Sequence, residues 1–252
     1  MRKIFIIGIG AGNPDYMTVQ AIGALNKVDV FFIPDKGAEK AALRQLRTEI
    51  CARFIKDRAY RFVEVQVPRR GEDFSDYKAN VLEWHAAIEA NYTRLLREDV
   101  GENECAGFLV WGDPALYDST LRIVERIHAQ AEMAFDYEVI PGISAIQALA
   151  ARHRVPLNRI GESVHITTGR KLTEGASNDG GSVVVLLDGE QAFTKLAGDL
   201  QIYWGAYLGT DEEVLVAGRL SEVASDIAAI RAERRARNGW IMDSYLIRKP
   251  ET

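Results

Sequence analysis

Residues 3–9 form a short, unbroken apolar run, rich in β-branched side chains, that ends in glycines. An apolar run with no polar alternation is what a strand covered on both faces requires. Thr18 stands where a helix N-cap is needed, with Val19, Ile22 and Leu25 on one face of the helix that follows. Val28 to Ile33 reads as a second strand. Leu43, Leu46, Ile50 and Phe54 then recur at helical spacing, and Val63, Val65 and Val67 alternate as in a strand. Val81, Trp84, Ile88 and Leu95 mark a longer helix. Phe108 to Trp111 is a strand closed by Gly112, Leu121, Val124 and His128 continue as a helix, and Tyr137 to Ile140 leads into Pro141-Gly142 and a helix through Leu149. Strands alternating with helices across short turns predict an α/β fold with a largely parallel sheet.

The pattern changes after residue 158. Arg152 to Gly161 reads as a linker, and the later strands have fewer helices between them. Those strands are Val164 to Thr168, Val183 to Leu187, Tyr203 to Tyr207, Val214 to Leu220 and Trp240 to Ile247. Two α/β domains are expected, residues 1–158 and 159–252, the second built on a mixed sheet. Thr173 to Gly181 is a polar, glycine-rich loop, and the run Arg231 to Arg237 reads as a solvated helix face.

Composition narrows the function. The 252 residues carry a formal net charge of −5, which disfavours nucleic acid as a partner. Cys51 and Cys105 are far apart and the four histidines are scattered, so neither a disulfide scaffold nor a metal site is expected, and a reducing cytoplasm suits the chain. The opening apolar run is too short for a signal peptide, and no stretch is long enough to span a membrane.

Three glycine-bearing turns carry the chemistry. Gly8-Ile9-Gly10-Ala11-Gly12-Asn13-Pro14-Asp15 follows the first strand. Gly112-Asp113-Pro114-Ala115-Leu116-Tyr117 ends another, and Pro141-Gly142-Ile143-Ser144-Ala145 ends a third. Glycine allows sharp turns and close approach of a ligand to the backbone, and in open α/β sheets ligands collect outside the carboxyl ends of strands. Alone, the first turn is a weak dinucleotide signal, because Asn13 occupies the place of the third glycine.

Taken together, a Gly-x-Gly-x-Gly-x-Pro-x-x-x-Thr start, a central Gly-Asp-Pro and a later Pro-Gly-x-Ser resemble the tetrapyrrole methylase family, the class III methyltransferases. The resemblance implies two α/β domains with a cleft between them for S-adenosylmethionine, which leaves as S-adenosylhomocysteine, and a homodimer as the active form. It places the cofactor at Gly10, Ala11 and Gly12, at Gly112, Asp113, Leu116 and Tyr117, at Ser144 and Ala145, at Leu187 and Asp188, and at Gly209. Two positions depart from the family: Ala11 stands where proline is usual, and Asp188 where methionine is common. The segments around Trp111, His165-Ile166-Thr167-Thr168-Gly169-Arg170 and Leu187-Asp188-Gly189-Glu190 look most like family members of cobalamin synthesis that methylate a ring carbon and expel an acetyl group as acetate.

Methyl transfer needs chiefly positioning, since an electron-rich tetrapyrrole carbon is itself the nucleophile. Loss of acetate needs acid–base help, for which Asp15, Asp113 and His165 are the candidates. Each has a second reading: Asp15 as a helix cap, Asp113 as a turn brace, His165 as a core histidine. An anionic substrate calls for cations, and Arg69, Arg70, Arg170 and Lys171 are the expected clamps, with Arg152 and Arg154 next. Other readings are a different precorrin methyltransferase, diphthine synthase, a nicotinamide-dependent oxidoreductase using Asp29 or Asp35 for a ribose, and a tetrapyrrole carrier without catalysis.

Overall fold

The computed structural model describes residues 1–35, 41–68, 77–173 and 181–250. The chain divides into two compact units, Met1–Gly10 with Pro14–Ile143 and Ala11–Asn13 with Ser144–Thr252.

The first unit alternates strand and helix. Its elements are β1 (Arg2–Gly8), α1 (Val19–Leu25), β2 (Val30–Asp35), α2 (Ala41–Phe54), β3 (Arg61–Gln66), α3 (Tyr77–Glu98), β4 (Cys105–Val110), α4 (Thr120–Ala129) and β5 (Phe135–Ile140). Every strand pairing is parallel, in the order β3-β2-β4-β1-β5. The unbroken apolar run of β1 is explained by its two covered faces. Ile4 and Ile6 face a core shared with α3 and α4, whereas Phe5 and Ile7 face the core beneath α1 and α2. Thr18 caps α1 as expected, its hydroxyl accepting from the Ala21 N–H at 3.0 Å.

β2 and β4 pair only from Val30↔Ala106 to Phe32↔Phe108. Beyond Phe32, β2 keeps to β3, while β4 runs on beside β1 to Val110.

The second unit holds α5 (Ala145–His153), β6 (Val164–Thr168), the short α6 (Gly169–Thr173), β7 (Ser182–Leu186), β8 (Gln201–Ala206), β9 (Val214–Arg219), α7 (Leu220–Asn238) and β10 (Asp243–Arg248). The mixed sheet runs β6-β7-β10-β8-β9, with β6 and β7 parallel and the other pairs antiparallel. The last strand of the chain therefore lies at the centre of the sheet. One face is packed by α7 through Leu220 and Ile227 around Trp204 and Tyr245, both fully buried.

Three sequence expectations are corrected here. Arg152 and His153 are not linker but the last turn of α5, and Leu220 opens α7 rather than ending a strand. The Arg231–Arg237 run is not wholly solvated: Arg231 is 5% exposed and donates to Asp243 at 2.7 Å through Nε. A buried guanidinium survives only where its donors are met. Its Nη2 donates both to the other Asp243 oxygen, at 3.2 Å, and to the Asp188 carbonyl.

Candidate functional site

In the first unit the three glycine turns leave adjacent strands, β4, β1 and β5, at their carboxyl ends. They pack backbone against backbone. Gly10 and Gly112 form an antiparallel bridge, the Gly112 N–H donating to the Gly10 carbonyl at 2.8 Å. A Cβ on Gly142 would lie 2.1 Å from the Gly112 carbonyl oxygen, and one on Gly8 would lie 2.6 Å from the Gly142 nitrogen. Side chains are excluded there by neighbouring backbone.

Asp113 ties two of the turns together. One carboxylate oxygen accepts from the Ala115 N–H at 2.8 Å, the other from the Gly142 N–H at 2.9 Å. Leu116 follows within the same turn, its N–H donating to the Asp113 carbonyl at 3.2 Å. Tyr117 then adopts φ 53° and is 46% exposed, an uncommon backbone state for an aromatic residue. Asp15, in the 3-10 turn Pro14–Tyr16, is exposed and paired with Arg53.

Arg47 is a residue that the sequence reading passed over. It lies on α2 and donates through Nε to the Leu109 carbonyl at 3.0 Å and through Nη1 to the Leu43 carbonyl at 2.8 Å. Leu109 lies past the point where β2 and β4 part, so a side chain supplies the donor a neighbouring strand would have given. Burial lowers the guanidinium pKa, opposed by Asp118 and Tyr92. The sequence signal was a cation four residues after Leu43, within the apolar spacing of α2.

In the second unit, Ala11 is buried, and a Cβ on Gly12 (φ 144°) would lie 2.4 Å from the Leu208 carbonyl oxygen. Within this unit Gly12 thus lies against the turn at residues 207–210. Gly209 in that turn has φ 78°, and its N–H donates to Glu213 at 2.8 Å. Glu213 also pairs with Arg152. Ser144 is 4% exposed and caps α5 in a capping box with Gln147, so Ala145 opens the first helical turn. Arg154 adopts φ 58° as the C-cap of the same helix.

Leu187 follows β7 with φ 54° and is 66% exposed, whereas Asp188 is 2% exposed and turned inward. His165 is exposed on the edge strand β6, which removes the reading of a core histidine. Arg170 and Lys171 are exposed on α6. Arg69, Arg70 and residues 174–180 lie outside the described residues. Asp29 precedes β2 at its amino end, bonded to Arg58 and to the Cys105 N–H, so it is remote from the carboxyl-end turns where a ribose would be met. Among the described residues no group of three or more metal-ligating side chains forms, and no helix is long and apolar enough to cross a membrane.

Comparison with known proteins gives a consistent family. Residues 3–224 match the model of the Tetrapyrrole (Corrin/Porphyrin) Methylases. The chain is 54% identical over 250 residues to the precorrin-6A synthase [deacetylating] of Sinorhizobium sp., covering 99% of this chain and 96% of that protein. Among solved structures, a protein of Corynebacterium diphtheriae related to cobalamin synthesis (CobF) superimposes with a TM-score of 0.83 at 38% identity over the whole of both chains. A uroporphyrin-III C-methyl transferase of Thermus thermophilus, complexed with S-adenyl homocysteine, shares the fold at a TM-score of 0.58 and 17% identity, covering 97% of this chain and 96% of that one.

Proposed function

From the premise that this chain belongs to the tetrapyrrole methylase family, we propose that it is a precorrin-6A synthase of the deacetylating kind, an S-adenosylmethionine-dependent methyltransferase of aerobic cobalamin biosynthesis. It methylates precorrin-5 at ring carbon 1 and releases acetate to give precorrin-6A. The observation that carries this reading is the near-full-length 54% identity to an enzyme of that name.

S-adenosylmethionine supplies an electrophilic methyl group on a sulfonium. The residues present suit such a ligand: the glycine turns bring the carboxyl ends of β4, β1 and β5 together with no side chain between them, and Leu187 offers an exposed apolar side chain at the end of β7. We assign cofactor contacts to Gly10, Ala11, Gly12, Gly112, Leu116, Tyr117, Ser144, Ala145, Leu187 and Gly209, with Asp113 holding its turn in shape.

At the ring carbon, an electron pair of the macrocycle forms the new carbon–carbon bond and the carbon–sulfur bond breaks toward sulfur. Orientation alone can lower such a barrier by about 7–11 kcal/mol. For deacetylation, water adds to the acetyl carbonyl, the carbon–carbon bond breaks with its electrons returning to the ring, and acetate leaves. We assign the proton transfer to His165. Both oxygens of Asp113 are taken by backbone N–H groups and Asp15 is paired with Arg53, whereas the imidazole of His165 is exposed. Arg170 and Lys171 on α6, two cations on an exposed turn next to β6, are assigned to the substrate carboxylates. We also propose a cytoplasmic homodimer, in keeping with the family and with the absence of any spanning helix among the described residues.

The test is acetate measured by NMR from precorrin-5 incubated with the protein and S-adenosylmethionine. Acetate in step with methyl transfer is expected; methyl transfer without acetate points to another methyltransferase of the family. In the same assay H165Q slows acetate release by about 10²-fold or more, and R170A raises the substrate KM.

A further inference from the structure

The turn after β7 combines a strained residue that faces solvent with a buried acid that does not. Leu187 has φ 54°, where a branched side chain crowds the backbone, yet it is 66% exposed and gains nothing from core packing. A non-glycine residue held in that state needs a neighbour that over-determines it. The neighbour is Asp188, at 2% exposure. Its Oδ2 accepts from the Tyr245 hydroxyl and the Ala192 N–H, both at 2.7 Å, and its carbonyl accepts from Arg231. Arg231 is fixed in turn by Asp243, which also accepts from the Trp204 indole at 2.9 Å.

The other carboxylate oxygen, Oδ1, is buried with no hydrogen-bond partner among the described residues. It fills the space beside Gly169, where a Cβ would lie 2.2 Å from it. Gly169 opens α6, whose next two residues are Arg170 and Lys171. A bare carboxylate oxygen in the interior gives up its hydrogen bonds to water without replacement, which works against folding. An arrangement that keeps one, beside a strained exposed leucine and a glycine that accommodates the acid, is over-specified for folding alone. Burial, and secondarily the bond to Asp188, push the Tyr245 hydroxyl pKa far up, so it stays a donor to the acid at any working pH.

We infer that Asp188 is a positioning residue: its buried carboxylate clamps the turn so that Leu187 is presented outward to the S-adenosyl ligand, and wedges against Gly169 so that α6 is held to the same turn. This rests on the methyltransferase reading above. The side chain works from beneath the site, and the contact falls to Leu187.

The experiment measures S-adenosylhomocysteine affinity by calorimetry and Tm for the full-length wild type, D188A, D188N, Y245F, L187G and G169A. D188A is expected to weaken binding about ten-fold, and D188N, whose amide oxygen can take the place of Oδ2, to recover most of that loss. Y245F lies between them. L187G separates positioning from stability, since glycine relieves the left-handed strain: Tm is held or raised while affinity falls several-fold. G169A weakens binding in the wild-type background and less so when combined with D188A, which vacates the space. Should D188A fail to fold, Y245F and L187G carry the same comparison. The inference is overturned if wild type binds and either L187G or Y245F binds with undiminished affinity. If the wild type itself binds no S-adenosylhomocysteine, the methyltransferase reading fails instead.

Discussion

A carboxylate that accepts from two backbone N–H groups on different turns is more a strut than a reagent, and Asp113 shows it. D113A frees the Ala115 and Gly142 N–H groups together, and is expected to lower stability by about 1–3 kcal/mol in urea unfolding. D113N keeps one good acceptor and loses less. Gly142 allows no such latitude. With a Cβ at 2.1 Å from the Gly112 oxygen, G142A must part the β5 turn from the β4 turn, and a loss of about 3 kcal/mol or more is expected in the same measurement. Away from the site, Glu104 receives two bonds from Arg61 and one from the Gly101 N–H, all at 2.7 Å, and its pKa is lowered to about 2. An ordinary glutamate titrates at about 4.3, so the stabilisation is complete above that pH and is lost as pH falls toward 2. E104Q should therefore flatten the stability profile in that acid window alone. Because the side chain is a third exposed, salt should shrink the effect.

At the scale of elements, periodicity served well where the chain is covered on two faces. β1 is legible because Ile4, Phe5, Ile6 and Ile7 each meet a core, on alternating sides. Phe32 is buried at 1% against Phe108, with ring centroids 5.0 Å apart, and F32A should reduce stability by about 3–5 kcal/mol. The glycine turns were also legible, because glycine, aspartate and proline act locally on the backbone. What escaped was side-chain chemistry reached through tertiary structure. Arg231 lies in a run of arginines, and nothing in that run says that one of them meets Asp243 and the Asp188 carbonyl from beneath. Asp188 reads as a cofactor position that departs from the family, and nothing in its segment says that Tyr245, 57 residues later, donates to it from within the core. Arg47 fills a gap that exists only because β2 and β4 part beyond Phe32.

For the whole molecule, a net charge of −5 agrees with an anionic substrate being met by local cations rather than by a general basic field. The proposed dimer is checked by sedimentation equilibrium, where a mass near twice 28.1 kDa is expected at micromolar concentration.

The position of β10 has a consequence for how the molecule comes into being. A ribosome delivers β6 to β9 before the strand that must lie between β7 and β8. Until residues 243–248 have emerged, two apolar strands stand with open edges, each able to capture a wrong neighbour. The first unit, whose strands are all complete by Ile140, can close during synthesis, so the hazard for chaperones and proteases is concentrated in the interval before the last strand arrives.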